Sequence, residues 1–372
     1  MWLVLLFLVS LVRCGCIHNK IAKPAIYGQK TTPMDRRTQT RLSIQFHLDN
    51  DSISVPTQDL QNYFAEMYKM VSSNNNLNVT VCREDNVHTI VELKHDLLIH
   101  IDFGKQCTEH ADGYAFVCRI DGATQRPISG FIGLCNPYFM ANTAKRWKIL
   151  VHEITHVMAF SSDLFPFYKG CDGPCIRKTA TGEELFMGPR ALAYAREFFD
   201  CNEIDGIQLD DSGSHFRMDK YDGQLMVPVF VDNVPEIMES KLLFAVIADS
   251  GWYEPLKYGN DSIWGWRRGC HFVNYDCNGY YDRLIEKEEV FYCMKKTTTD
   301  CIVYNYGRYI GKIHRQPELG GLEEHNFCPV RRNYHLLDYK KVPKAVPRFT
   351  YSDTIMYKRV VDFLQALKYW FK

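Results

Sequence analysis

The 372-residue chain has no excess charge of either sign, because 44 Lys and Arg balance 44 Asp and Glu. A protein-wide basic field for holding nucleic acid is therefore excluded, as is an acidic field, and partners have to be inferred from local sites. The chain also has no apolar run approaching the roughly 20 residues that span a bilayer. It has no internal repeat at a period of roughly 20 to 50 residues and no low-complexity tract. With 46% apolar and 24% charged residues, it is a globular protein of about two to three domains. Its 14 cysteines are too few for a scaffold made mostly of disulfides, yet many for a reduced cytosolic enzyme. That balance points to an oxidising compartment.

The N-terminal residues agree with that compartment. Trp2 to Val12 form an apolar stretch closed by Arg13, the length of a signal-peptide core and too short to span a membrane. Residues 1–14 are accordingly read as a secretory signal, which makes the protein secreted or, as the alternative, associated with the cell surface. No transmembrane segment is expected. Sequons at Asn50, Asn78 and Asn260 fit a secreted glycoprotein.

Residues 15–41 are polar and read as a short pro-segment, and folded structure is expected to start with the alternation Leu42, Ile44, Phe46, Leu48, a strand with one buried face. Leu60, Tyr63, Phe64, Met67 and Val71 mark a helix stripe; the runs NVTVC, HTIVEL, LLIHIDF, YAFVCRI and GFIGLC follow as strands. One helix followed by a set of strands makes the fold class α+β. From Asn142 or Thr143, which can cap, Trp147, Leu150, Val151, Ile154 and Met158 mark a second helix. Further helices are expected near Glu184 to Phe199, from about Ile237 to Ala248, and at Ile355 to Phe371. The organisation is thus an N-terminal subdomain over 42–160, a central one over 161–255, and a cysteine-containing C-terminal region over 256–372.

The second helix carries His152-Glu153-Ile154-Thr155-His156, an H-E-x-x-H motif. Four residues are about one turn, so both imidazoles project from one face and can grip one metal, with Glu153 beside them as a general base. Chance would produce about 0.03 such motifs in a chain of this length and composition. A catalytic zinc takes three protein ligands. The compact pattern H-E-x-x-H-x-x-G-x-x-H needs Gly and His at positions 159 and 162, where this chain has Ala159 and Ser162. His215, in Gly213-Ser214-His215, is the leading candidate, with Met226 following in Leu225-Met226-Val227-Pro228. A gluzincin arrangement with Glu183, Glu184 or Glu197 as third ligand is spacing-compatible and stays open.

The zinc helix, the long excursion to G-S-H, the L-M-V-P turn, the Ala-Asp-Ser-Gly-Trp-Tyr253 helix end, W-G-W-R-R-G-C-H-F-V-N-Y-D-C, and Gly-Gly-Leu-Glu with Phe-Cys-Pro near Cys328 occur in order. In these motifs the chain resembles the leishmanolysin (invadolysin-like) zinc metalloproteases. The resemblance implies a metzincin-like protease, with a mixed sheet and an active-site helix, a central subdomain and a disulfide-rich C-terminal region that is shortened here. It implies one Zn²⁺ per chain on His152, His156 and His215, Glu153 as catalytic acid/base, and Met226 as a floor beneath the metal. Protein or peptide substrates are the implied partners, and no nucleic acid.

The family also carries a cysteine switch, and Cys16-Ile17-His18-Asn19 looks similar to it. A thiolate is a good zinc ligand. If Cys14 leaves with the signal and Cys16 is the switch, the 14 cysteines leave an even 12 for pairing. Substrate pairing to an edge strand is expected at Gly130, Phe131, Ile132 and Gly133. The contrasting class is a non-catalytic adhesion or decoy protein that keeps the fold; the retained Glu153 argues for hydrolysis.

Overall fold

The computed structural model describes residues 14–16, 23, 26–29, 40–49, 53–71, 77–84, 90–108, 111–135, 143–230, 238–261, 264–274, 301–302 and 330–331. The signal stretch up to residue 13, the sequon at Asn50 and the expected helix over 355–371 lie outside them.

The strands are β1 (Cys14–Cys16), β2 (Tyr27–Gln29), β3 (Ile44–Leu48), β4 (Tyr68–Met70), β5 (Leu77–Thr80), β6 (Ile90–Leu93), β7 (Leu97–Phe103), β8 (Ala111–Asp121), β9 (Pro127–Leu134), β10 (Ile176–Lys178), β11 (Glu184–Phe186), β12 (Ile207–Gln208), β13 (Val229–Phe230), β14 (Tyr253–Pro255), β15 (Cys301–Ile302) and β16 (Val330–Arg331). The helices are α1 (Thr57–Met67), α2 (Thr143–Met158), α3 (Pro189–Phe199), α4 (Met218–Tyr221), α5 (Lys241–Asp249) and α6 (Gly269–Asn274). This mixture of helices with several sheets is the α and β content expected.

A mixed sheet in the order β13-β1-β8-β9-β7-β3, with β2 also on β8, is the frame. β3, β7 and β9 run parallel to their neighbours in that series, while β8 is antiparallel to β9. Long apolar runs feed the interior strands: every residue of β9 and all but one of β8 are buried, as strands covered on both faces must be. α2 packs across β8, β9 and β7. It packs closely because a Cβ at Gly130 would strike Val157 of the helix and the Phe116 carbonyl of β8. Leu150, Ile154, Val157 and Met158 are buried, each worth about 2 kcal/mol relative to exposure.

Two helix boundaries differ from the sequence expectation. The stripe running to Val71 ends at Met67, and Tyr68 to Met70 extend to pair with β14. Tyr68 and Met70 are buried on either side of a half-buried Lys69, so these residues satisfy a period of two as well as they do a helical one. The helix expected from Glu184 starts at Pro189, because Glu184 to Phe186 pair with β10 and β12. A proline at the first helical position forfeits no hydrogen bond, and the distant Asp249 carboxylate accepts the N–H groups of Arg190 and Ala191, both at 3.1 Å. α5 begins at Lys241 behind Ser240, whose hydroxyl accepts the Leu243 N–H at 3.0 Å.

The chain divides into two compact units. The first, residues 1–197 and 202–262, contains the sheet, α2 and the disulfides Cys82–Cys118, Cys107–Cys135 and Cys171–Cys175. The second, residues 198–201 and 263–372, holds Cys201–Cys270, with Phe199 stacked on Phe272. Among the described residues, no helix is long and apolar enough to cross a membrane.

Candidate metal centre

α2 places His152 and His156 one turn apart on its buried face, with ring centroids 4.6 Å apart. The helix then closes without a glycine. Ala159 and Phe160 donate their N–H groups to the Thr155 carbonyl, and Ala159 is not among the described residues with positive φ. The Ala at 159 is thus an ordinary residue in an ordinary turn, and the Phe160 carbonyl that follows accepts from Nδ1 of His156 at 2.6 Å.

His215 arrives on the segment between β12 and α4. There Asp210 accepts the Ser212 N–H at 3.1 Å and the Ser212 hydroxyl, and Gly213 takes φ +67°, a conformation that an L side chain resists. That turn presents His215 with its Nδ1 3.0 Å from Asp210 Oδ2. His152 is oriented in the same manner by the Leu225 carbonyl, 2.8 Å from its Nδ1.

These three contacts determine the chemistry. A carbonyl or carboxylate oxygen only accepts, so each Nδ1 carries the proton and each Nε2 carries a lone pair. The Nε2 atoms converge: His156 lies 3.0 Å from His152 and 3.2 Å from His215. Three lone pairs at such distances repel unless a cation lies among them. Burial, with the nearby His215 adding to it, pushes His152 down to about 3 against the Leu225 hydrogen bond, so its imidazole stays neutral and ligand-competent. The donor set of three imidazoles fits zinc, and a single Zn²⁺ would be held by His152, His156 and His215.

A fourth donor stands beside them. β1 is inserted between β8 and β13, parallel to the first, antiparallel to the second, and the Cys16 N–H donates to the Pro228 carbonyl at 3.1 Å. Its Sγ, which is in no disulfide, lies 3.6 Å from Nε2 of His156 and 3.6 Å from Oε2 of Glu153. Ligand atoms of Cys16, His152, His156 and His215 all fall within 4.8 Å of one another. Glu153 is buried, and that burial raises its carboxyl to about 8; the Cys16 contact opposes the shift and Asp112 adds to it.

Met226 is buried, and its carbonyl accepts the N–H of Phe216, the residue after His215, at 2.7 Å. The Leu-Met-Val-Pro turn therefore supports the site through backbone carbonyls at Leu225, Met226 and Pro228. The three glutamates of the gluzincin reading lie outside the cluster. Glu183 pairs with Arg217, Glu184 pairs with Lys178, and Glu197 is exposed.

The edge-strand expectation is overturned. Gly130, Phe131, Ile132 and Gly133 belong to β9, which is paired on one side with β7 and on the other with β8. Its backbone groups are committed, and its glycines serve packing: a Cβ at Gly133 would run into the Tyr114 ring. The other flank of β8 carries β1, at Ala111 and Gly113, and β2, at Arg119 to Asp121. Sequence reasoning also missed Asp210 and the carbonyls of Phe160 and Leu225. Only Asp210 carried a signal, an acidic residue at the head of the Asp-Asp-Ser-Gly turn that delivers His215.

The family model of leishmanolysin matches residues 39–332. The chain belongs to the leishmanolysin family. That family is zinc-dependent, in keeping with the donor set. The chain is 24% identical over 231 residues to a leishmanolysin-like peptidase of Caenorhabditis briggsae, covering 48% of this chain and 34% of that protein. It is 25% identical over 222 residues to the leishmanolysin-like peptidase of Drosophila melanogaster, covering 45% and 31%. The leishmanolysin of Leishmania major matches at 25% over 153 residues, 37% of this chain and 24% of that one. The chain thus spans about a third or less of the length of these curated relatives.

Proposed function

We propose that this leishmanolysin-family chain is a secreted zinc metalloendopeptidase that hydrolyses peptide bonds in proteins, with Glu153 as general base and then general acid. The observation that carries the reading is the convergence of the His152, His156 and His215 Nε2 lone pairs beside the buried Glu153 carboxylate. Zinc bound there would supply Lewis acidity to the attacking water and to the scissile carbonyl. Glu153, with a carboxyl raised to about 8 when no ion is bound, is suited to receive a proton from water and return it to the leaving amine. The Leu225 and Phe160 carbonyls and the Asp210 carboxylate hold the imidazoles so that no reorganisation precedes reaction. Met226, buried beside Leu225, would supply the apolar floor beneath the metal.

An extended substrate would pair with the outer flank of β8, displacing β1. As long as β1 stays, the Cys16 thiol fills the space between Glu153 and His156, so the chain is a zymogen governed by a cysteine switch. The apolar Trp2 to Val12 stretch and the exposed sequons Asn78 and Asn260 support a secretory route. The deciding experiment pairs zinc content with cleavage of a denatured protein by purified, activated material, with and without o-phenanthroline. Cleavage abolished by the chelator and restored by zinc supports the reading. Full-length zinc-loaded protein with no cleavage after activation would favour a binding protein instead.

A further inference from the structure

A second constellation of ligand atoms lies at the end of the sheet formed by β3 and β7. His47 and His100 are direct partners in the parallel β3–β7 pairing, Asp102 follows two residues on along the same face of β7, and Asp49 is the residue after β3. One ligand atom each from Asp49, His100 and Asp102 lies within 4.8 Å of the others.

His100 is the informative member. It is 1% exposed, and its Nδ1 lies 2.5 Å from the Cys82 carbonyl, which can only accept. The ring proton is therefore on Nδ1 and the lone pair on Nε2. That buried Nε2 has no hydrogen bond, although Asp49 Oδ2 is only 2.9 Å away. The other oxygen of Asp49 is already engaged, by Nε2 of His47 at 3.0 Å and by Arg83 at 2.5 Å. So a lone pair of the imidazole and a lone pair of the carboxylate face each other across a distance at which only a cation makes the contact favourable. A second proton on His100 is the simplest such cation. A metal ion shared with Asp102, whose carboxylate completes the cluster, is the other.

We propose that Asp49, His100 and Asp102 form a second divalent-metal site, distinct from the three-histidine centre, that takes an ion of the zinc class. One imidazole nitrogen with two carboxylates suits zinc better than calcium or magnesium, which prefer all-oxygen shells. His47 and Arg83 on the outer oxygen of Asp49 fix which oxygen faces the metal. Asp102 is positioned by its own backbone, its Oδ1 accepting the Phe103 N–H at 2.7 Å. The ion would tie the end of β3 to β7, close to the Cys82–Cys118 disulfide.

The test uses the full chain with His152, His156 and His215 all replaced by Ala, so that the first centre contributes nothing. Zinc, calcium and magnesium chlorides are added separately, with metal content and Tm as readouts. The expected result is one tightly held zinc per chain and a Tm rise of about 5 °C at zinc about a hundredfold above Kd. Adding Asp49→Asn and Asp102→Asn should remove both effects while the circular dichroism spectrum is unchanged. The native chain provides a second reading that needs no triple variant: Asp49→Asn with Asp102→Asn should lower its zinc by one per chain, whatever the first centre holds. Unchanged zinc content in that variant, or a response to calcium or magnesium in place of zinc, would overturn the proposal and leave an ordinary ion-pair cluster.

Discussion

The thiol of Cys16 donates to Oε2 of Glu153 across 3.6 Å, joining the N-terminal strand of the chain to the carboxylate proposed as proton carrier. The same sulfur lies 3.6 Å from Nε2 of His156, so β1 lies against both the proposed base and the proposed metal ligands.

Latency follows from that contact. Protein retaining Cys16 should be inactive until proteolysis or a thiol-modifying mercurial releases it, and Cys16→Ser, in which no thiolate anchors β1 at the metal ligands, should be active untreated, because a neutral hydroxyl is a much weaker zinc ligand than a thiolate. Activity assays on the two purified proteins before and after treatment check this. A Cys16→Ser protein that stays silent while its zinc content is normal would contradict it.

Asp210 is expected to act through His215. Asp210→Asn keeps the size of the side chain but removes the anion that holds Nδ1–H of His215 at 3.0 Å. Zinc affinity should fall by about 10- to 100-fold with the fold intact, the usual effect of losing an outer partner of a ligating histidine. Competition against a chromophoric chelator measures it, and unaltered affinity would remove Asp210 from the site.

Gly130→Ala separates the two readings of the glycine-rich run. With β9 central, the added Cβ strikes Val157 and the Phe116 carbonyl and should destabilise the fold by about 1–3 kcal/mol. A urea midpoint shift at constant m-value records that loss. Had Gly130 lain on a substrate-binding edge, the change would appear in KM with stability unchanged.

Stability should carry a pH signature from Asp249. Burial raises its carboxyl to about 6, against the Ala191 and Arg190 N–H groups and the Arg190 charge that lower it. A raised folded-state pKa means that the native state holds the proton more tightly than the unfolded one, so this contribution is fully present below the ordinary aspartate range and is lost as pH rises through about 6. The urea midpoint of the native chain relative to Asp249→Asn should therefore decline between about pH 4 and 6. A flat difference across that interval would show that Asp249 is ionised in both states.

The legible parts of this protein were those whose signal is local. His152 and His156 are a single helical turn apart, and the strands from LLIHIDF through GFIGLC are apolar runs of strand length, so neither needed a partner to be recognised. Strand order was not legible. Whether Gly130 to Gly133 lie at an edge depends on where β7 and β8 pair, and the two glycines answer to the Val157 and Tyr114 side chains. Helix ends failed for a related reason, since Tyr68 to Met70 leave the α1 stripe to meet β14, almost two hundred residues away in the chain. The backbone carbonyls of Phe160 and Leu225 that fix the histidine tautomers leave no trace in residue identity. His100 and Asp49 come together from separate strands, and the meaning of the pair lies in a ring orientation set by Cys82.

We propose that three histidines hold one zinc while Glu153 handles the proton. Glu153→Ala tests it most directly, with zinc content and hydrolysis of a denatured protein measured on the same activated preparation. The expected result is unchanged zinc at the three-histidine centre and a rate lower by about 10²- to 10⁴-fold, the scale on which general acid–base groups contribute. Equal hydrolysis by the variant and the native chain would contradict it.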